Sequence, residues 1–300
     1  MTTRIRFRPI SRRRLGLLVY LALANAGMWA AMAPLLSDGY QRSSAREGTG
    51  LREQLCIGAA MFAPALAALL VVRFVERDGS VRAALALHLP RARAVRACLL
   101  PIGVLGGLTA AALALGTLAG GYPFAGLGVM TSGAASSWVL QGVVNMVVSL
   151  PLFFGEELGW QGFLFPRLLR PGGTASLVRA YLLTGTAFAL WHLPPLLMGG
   201  QYPGRPWYVA VPAFVLSCVL VLPVFTWLRL RSGSVVPAVL AHTFASTMGV
   251  SAVRRFATPD SPLDPLTMGL TGWPGWIVLA AFVTWLAATG RLHPSRCTRA

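Results

Sequence analysis

Lysine is absent from this 300-residue sequence, and acidic residues are scarce: nine stand against 26 arginines, giving a formal net charge of +17. Such an excess can indicate nucleic-acid binding. The arginines, however, lie between apolar runs, and no soluble segment carries a basic face interleaved with aromatic side chains. Nucleic acid is therefore not expected as a partner.

Cysteine is also rare, and its spacing carries no motif. The four cysteines, Cys56, Cys98, Cys218 and Cys297, are scattered along the chain without a C-x-x-C pair. This arrangement indicates neither a disulfide framework nor a zinc knuckle.

Apolar residues, in contrast, make up 55% of the chain, and the mean hydropathy is +0.64. Apolar runs of roughly 18 to 24 residues recur, each long enough to cross about 30 Å of hydrocarbon. They predict an all-α, polytopic membrane protein with about eight transmembrane helices. The predicted spans are 15–36, 52–75, 97–119, 137–166, 174–197, 207–228, 234–251 and 273–290.

The distribution of arginine predicts the orientation in the membrane. With both termini on the inner side, 20 arginines fall on that side and six on the other. The positive-inside rule then places both termini in the cytoplasm. Because the chain uses arginine throughout and is rich in alanine, we expect a bacterial protein of the inner membrane, with the lipid bilayer as its solvent.

Among the acidic residues and histidines, four lie within the predicted spans and away from their ends: Glu156, Glu157, His192 and His242. An ionisable side chain at membrane depth costs about 2.5–3.5 kcal/mol on insertion scales for Asp, Lys or Arg, so each is a candidate for function. No other charge occurs between Val143 and Phe165. We therefore expect the helix to continue through the acidic pair and to end near Pro166.

These residues are supplied by three different spans, so a shared site must be assembled from three helices. Two neutral imidazoles and a carboxylate, His192, His242 and Glu156, are the ligand types of a catalytic zinc site. The same groups also suit hydrolysis without a metal, in which a buried glutamate takes a proton from a water held by the histidines. Residues alone leave both alternatives open.

Other interpretations remain. Each histidine alone is typical of a core residue bonded to a carbonyl of a neighbouring helix, and Arg179 or Arg229 could neutralise the glutamates. Buried ionisable groups also serve in transporters and proton relays, although no inverted repeat or pair of broken helices is apparent here.

Three motifs resemble the CPBP (Abi) family of intramembrane proteases, which includes CAAX prenyl endopeptidases of the Rce1 type. An E-E-x-x-x-R motif appears as Glu156 to Gln161, an F-x-x-x-H motif as Phe188 to His192, and an H-x-x-x-N/D motif as His242 to Ser246. The flanking sequences GEELGWQGFLFPRL and GSVVPAVLAHTFAS are similar as well.

The resemblance implies an Rce1-like helical bundle and an endopeptidase acting on a peptide or membrane-tethered protein. Glu156 would activate the attacking water, Glu157 would support the site, and His192 and His242 would position that water or bind zinc. The family has been described both with and without a metal, so a zinc cofactor stays open. The resemblance divides the chain into an N-terminal arginine-rich tail with three helices (1–136), a protease-like core (137–251) and a final helix with an arginine-rich tail (252–300).

Two positions depart from the family pattern. Gln161 replaces the usual arginine and can offer only a neutral hydrogen bond. Ser246 replaces asparagine or aspartate, and its side chain reaches less far. We expect either impaired hydrolysis or, as the alternative, a catalytically degenerate member that acts as a membrane scaffold or immunity protein.

Overall fold

The computed structural model of the protein describes residues 11–42, 50–88, 94–169 and 173–292. These residues are almost entirely helical and contain no β-sheet, only a single antiparallel bridge between Phe124 and Ala257. The all-α prediction is confirmed. Most of both arginine-rich ends, with His293 and Cys297, lies outside the described residues.

Twelve α-helical segments follow one another along the described ranges, and three of them run on into π-helical turns, at Val71–Glu76, Leu158–Leu164 and Ala245–Gly249. The α-helices are α1 (Arg12–Ser37), α2 (Leu51–Leu70), α3 (Val81–Ala84), α4 (Ala94–Leu118), α5 (Ser132–Glu157), α6 (Phe165–Leu168), α7 (Gly173–Trp191), α8 (Leu193–Leu197), α9 (Trp207–Ser232), α10 (Val236–Phe244), α11 (Val250–Arg255) and α12 (Trp273–Ala288).

Six helices of the described chain are long and apolar enough to cross a membrane, which makes this a multi-pass membrane protein. They are Arg12–Ser37, Leu51–Glu76, Arg96–Leu118, Gly133–Leu168, Trp207–Ser232 and Val236–Arg255. The last predicted span is the shorter apolar helix α12. The fifth ends earlier than predicted, at Trp191, because Pro194 and Pro195 cannot continue the hydrogen bonding of α7 and instead begin the separate helix α8.

A single helical rod carries the acidic pair. The helix α5, the π-helical turn and α6 form one continuous span over Gly133–Leu168. The expected continuation of the helix through Glu156 and Glu157 is confirmed, and the rod ends where Leu169 turns into extended backbone with ψ 122°. Both glutamates therefore sit inside the span and not at its end.

Glycine allows this rod to pack closely on two neighbours. A Cβ atom at Gly155 would lie 2.8 Å from the carbonyl oxygen of Met61, and one at Gly159 would lie 2.4 Å from Pro64 and 2.5 Å from the hydroxyl of Tyr20. Any larger residue would push α2 or α1 away. This close approach of small residues is typical of packed membrane helices. It fixes the position of Glu156 and Glu157, which lie between the two glycines.

The far end of the rod is held by a buried ion pair. Arg167 Nε lies 2.8 and 2.9 Å from the two carboxylate oxygens of Glu76, and its guanidinium stands 3.8 Å from the centre of the Phe163 ring. Asp78 adds a second carboxylate 3.7 Å from Arg167 Nη2. The pair ties the end of α2's π-helical turn to α6.

Candidate active site

The structure brings Glu157 and His242 into direct contact across two helices. The His242 Nδ1–H donates to Glu157 Oε1 at 2.8 Å, and the Glu157 side chain is completely buried. Because Nδ1 is engaged with the carboxylate, Nε2 is the nitrogen of His242 that remains for another group.

Glu156 lies next to the Glu157–His242 hydrogen bond but forms no hydrogen bond to His242. Its Oε2 lies 4.0 Å from His242 Nδ1, and the residue is 2% exposed. Within the part of the chain that the structure describes, Oε2 of Glu156 and Oε2 of Glu157 are both buried without a hydrogen-bond partner. Buried carboxylate oxygens are ordinarily satisfied, so these two atoms are the acceptors that the fold leaves for a bound molecule.

A π-helical turn follows each half of this contact. Leu158–Leu164 begins directly after Glu157, and Ala245–Gly249 begins three residues after His242. Such π-helical turns are rare in proteins, and many of those that occur lie at functional sites.

His192 approaches from the break between α7 and α8. Its Nδ1–H donates to the carbonyl of Phe188 at 2.9 Å, which leaves Nε2 as a hydrogen-bond acceptor. The Phe188 ring contacts both imidazoles, with its centre 4.6 Å from that of His192 and 5.8 Å from that of His242. His192 and His242 therefore share Phe188 as an aromatic neighbour, and of the two histidines it is His242 that contacts Glu157 directly.

Aromatic side chains surround the polar atoms. Phe153 and Phe225 contact the ring of His242 at centroid distances of 4.6 and 5.3 Å. Trp160 and Trp191 are fully buried and meet edge to face. This apolar wall keeps the dielectric low, which strengthens every charge interaction inside it.

Gln161, four residues after Glu157, uses one end of its side-chain amide in a hydrogen bond to another helix and leaves the other end unbonded. Its Oε1 accepts from the Thr226 hydroxyl at 2.9 Å, while Nε2 has no partner among the described residues and is buried. No arginine in the described ranges pairs with either glutamate: Arg179 is exposed, and Arg229 is bound to neither. The neutralising role considered for these two arginines does not occur in this structure.

Ser246 stands apart from the contact. It lies on the π-helical turn after α10 with its side chain exposed. A π turn holds more than 3.6 residues, so residue 246 does not stack directly over His242 as it would in an α-helix.

Tyr20 is a neighbour of the site that sequence reasoning missed. Its side chain on α1 is fully buried, its ring stacks on Phe163 at 4.6 Å, and its hydroxyl has no partner among the described residues. The hydroxyl lies against Gly159, two residues after Glu157, where a Cβ atom would come within 2.5 Å of it. A tyrosine in an apolar helix carries no sequence signal, so only the packing of α1 on Gly159 reveals it.

The candidate zinc ligands do not form a metal site in this structure. In the described ranges, no three His, Cys, Asp or Glu side chains are grouped closely enough to hold a metal ion. The contacts of Nδ1 in His242 and His192 leave Nε2 of both rings for a further group, so the grouping of the side chains, and not the orientation of the imidazoles, is what does not fit a metal ion.

The fold and this site define a class: a multi-pass helical membrane protein with a buried acid–histidine contact between spans. Residues 135–248 match the model of a known family, described as type II CAAX prenyl endopeptidase Rce1-like. The resemblance drawn from the three motifs is confirmed over this segment, which contains all the candidate site residues. A search of curated proteins finds no match for the chain.

Proposed function

We propose that this protein is an intramembrane endopeptidase in which Glu156 is the general base. The observation that carries the proposal is the contact of His242 with the fully buried Glu157, with Glu156 beside it, inside the segment that matches the Rce1-like family. Two acidic side chains in an apolar span are costly, and general-base catalysis gives a reason to retain them.

In the proposed step, a water molecule donates one proton to Glu156 and its oxygen attacks the scissile carbonyl carbon. The carbonyl π bond opens to a tetrahedral oxyanion. The C–N bond then breaks, and the departing nitrogen receives the proton from Glu156. One water is consumed, the products are a carboxylic acid and an amine, and Glu156 returns to its starting state.

The remaining residues position the reactants. His192, whose Nδ1–H is held by the Phe188 carbonyl, would accept at Nε2 a hydrogen bond from the second O–H of the water, and that hydrogen stays on the attacking oxygen. His242, paired with the Glu157 carboxylate, would carry a proton on each ring nitrogen, so that its Nε2–H donates to the carbonyl oxygen where negative charge develops. Glu157 would fix the orientation of His242, stabilise its protonated ring and take no proton itself.

The proposed substrate is a membrane-embedded or membrane-tethered polypeptide, since the site lies within the spans and the surrounding solvent is lipid. The family description names prenyl endopeptidases. A requirement for a prenyl group is not part of the proposal.

The test is cleavage of membrane-anchored model substrates by the purified protein in lipid vesicles. Glu156→Gln should lower kcat by at least about 10²-fold, the lower range for a general base, because the carboxamide cannot take a proton. Glu53→Gln, the same change at the start of α2, should cleave like the native protein. Equal activity of both variants would refute the role of Glu156.

A degenerate scaffold is the second candidate, favoured by Gln161 and by the exposed position of Ser246. The variant Gln161→Arg with Ser246→Asn separates the two. Cleavage that appears only in this double variant would assign the native chain to the degenerate class, whereas cleavage by the native chain would assign it to the active one.

A further inference from the structure

Arg229 is a partly buried cation that the proposed mechanism does not use. It lies in the last turn of α9, and its Nε atom is buried without a hydrogen-bond partner among the described residues. No carboxylate in the described ranges forms an ion pair with it, whereas Arg167 is bonded to Glu76. The residue as a whole is half-buried, so part of it is accessible. Burying a guanidinium without an acceptor is costly, and Arg229 therefore points to an anionic group of a bound molecule.

Helical geometry places Arg229 on the side of α9 that faces the candidate site. Phe225 stacks on the ring of His242 at 5.3 Å, and the Thr226 hydroxyl donates to Gln161. At about 100° per residue, these two side chains bound an arc of the helix, and Arg229 lies inside that arc, about 40° from Phe225. It also lies one turn further along, about 6 Å on the helix axis. The guanidinium therefore follows the site on the same face of α9.

The unbonded polar atoms of this region are ordered by charge. The acidic pair offers two buried acceptors, Oε2 of Glu156 and Oε2 of Glu157, while Gln161 Nε2 and Arg229 Nε are buried donors without a partner among the described residues. A carboxylate is repelled at the glutamate end and attracted at the arginine end. A substrate that carries a carboxylate is thereby held in one direction, with its neutral part at the glutamates.

The chemistry of the guanidinium selects the kind of group. Arginine binds carboxylate or phosphate through two parallel hydrogen bonds. The proposed substrate is a polypeptide, whose own anionic groups are the carboxylates of its chain end and of aspartate and glutamate side chains. An offset of about 6 Å corresponds to about two residues of extended chain, at about 3.3 Å per residue.

We propose that Arg229 binds a carboxylate of the substrate polypeptide, about two to three residues from the bond that is cleaved. The inference rests on the proposed function. It adds a charge requirement, by which a chain with a carboxylate at this distance is preferred over an otherwise identical neutral chain.

The test measures binding to the full-length Glu156→Gln protein, so that cleavage plays no part. The probes are three dye-labelled leucine–alanine peptides in phosphatidylcholine vesicles. One ends in a free carboxylate, one in a carboxamide, and one in a carboxamide with glutamate as its last residue. Energy transfer to the labelled protein reports affinity. We expect a carboxylate to tighten binding at least about tenfold, the gain from one hydrogen bond between charged groups.

The two carboxylate peptides distinguish the source of the charge. Tighter binding of both assigns the site to any carboxylate at this position, and tighter binding of the free-acid peptide alone assigns it to the end of the chain.

The variants locate the preference at one guanidinium. Arg229→Gln should abolish it and leave binding of the neutral peptide unchanged, which shows that this variant is folded. Arg231→Gln is the matched control, because Arg231 is exposed two residues further along α9, about 200° around the helix. It should keep the preference.

Three results overturn the proposal. Equal binding of all three peptides does so, as does a preference that survives in Arg229→Gln. A preference that falls equally in Arg231→Gln does so as well, because the general positive charge of this helix end would then explain it. If the peptides bind equally and Arg229→Gln instead weakens the binding of dye-labelled phosphatidylglycerol, Arg229 holds a lipid phosphate.

Cleavage separates this inference from the proposed function. If the preference holds while the protein with Glu156 intact cleaves none of the peptides, the carboxylate site stands and the hydrolytic role fails. If that protein cleaves all three peptides with equal kcat/KM, the hydrolytic role stands and the carboxylate site fails.

Discussion

Two buried acid–base pairs lie on the same helical rod, ten residues apart, and they are built differently. Arg167 meets Glu76 with both carboxylate oxygens engaged and with a phenyl ring beneath the guanidinium. His242 meets Glu157 through one oxygen, and the other oxygen has no partner among the described residues. The first pair is closed, whereas the second leaves acceptors for something else.

The difference separates a pair that stabilises the fold from the pair that we propose to support hydrolysis. A fully bonded buried pair has no capacity for a ligand, and breaking it strands a charge. A partly bonded pair carries a desolvation cost that the native fold tolerates where function requires it. Burial alone therefore does not distinguish a structural glutamate such as Glu76 from a candidate functional one such as Glu157. The number of carboxylate oxygens that have a hydrogen-bond partner does distinguish them in this structure.

The largest stability effect is expected at the closed pair. Arg167→Leu leaves Glu76 buried without its partner and should lower the free energy of unfolding by about 3–5 kcal/mol. Arg52→Leu, which breaks the exposed pair with Asp38, should cost about 0–1 kcal/mol. Thermal or denaturant unfolding in detergent micelles measures both. Equal losses would remove the distinction between a closed buried pair and a surface pair.

The partly bonded pair of Glu157 and His242 should show the reverse pattern, with a large loss of activity and a small loss of stability. Glu157→Gln removes the charge that holds His242, so kcat should fall about 10²-fold, the lower range for disrupting an acid–base group. The free energy of unfolding should change by less than about 1 kcal/mol, because a half-satisfied buried charge is removed with it. Cleavage assays and unfolding curves on one preparation decide this. A stability loss comparable to that of Arg167→Leu would make the pair structural.

Tyr20 tests how far the open site extends onto α1. Tyr20→Phe keeps the ring that stacks on Phe163 and removes only the unpartnered hydroxyl, so we expect kcat to fall up to about tenfold with KM unchanged. Tyr122→Phe is the matched control. Its hydroxyl donates to the Val253 carbonyl at 2.8 Å far from the site, so it should lose about 1 kcal/mol of stability and no activity. A rise in KM at Tyr20→Phe would instead indicate a substrate contact.

Much of this arrangement could be predicted from residues alone. The uninterrupted apolar run up to Pro166 predicted that the helix would pass through Glu156 and Glu157, and the cost of burying charge singled out both glutamates and both histidines. The early end of α7 was missed although Pro194 and Pro195 were visible, because hydropathy continues across them. The position of Tyr20 beside the site could not be predicted, because the pairing of helices distant in sequence is not encoded in any local pattern.

Ser246 gives the smallest expected effect and the clearest limit on motif reasoning. The spacing from His242 predicted a place beside the site, but the π-helical turn leaves the side chain exposed. Ser246→Asn should therefore change the free energy of unfolding by no more than about 0.5 kcal/mol, and kcat on a short peptide by less than about threefold. A kcat gain above tenfold on the short peptide would place it within reach of the reacting atoms and extend the open site beyond the glutamate pair.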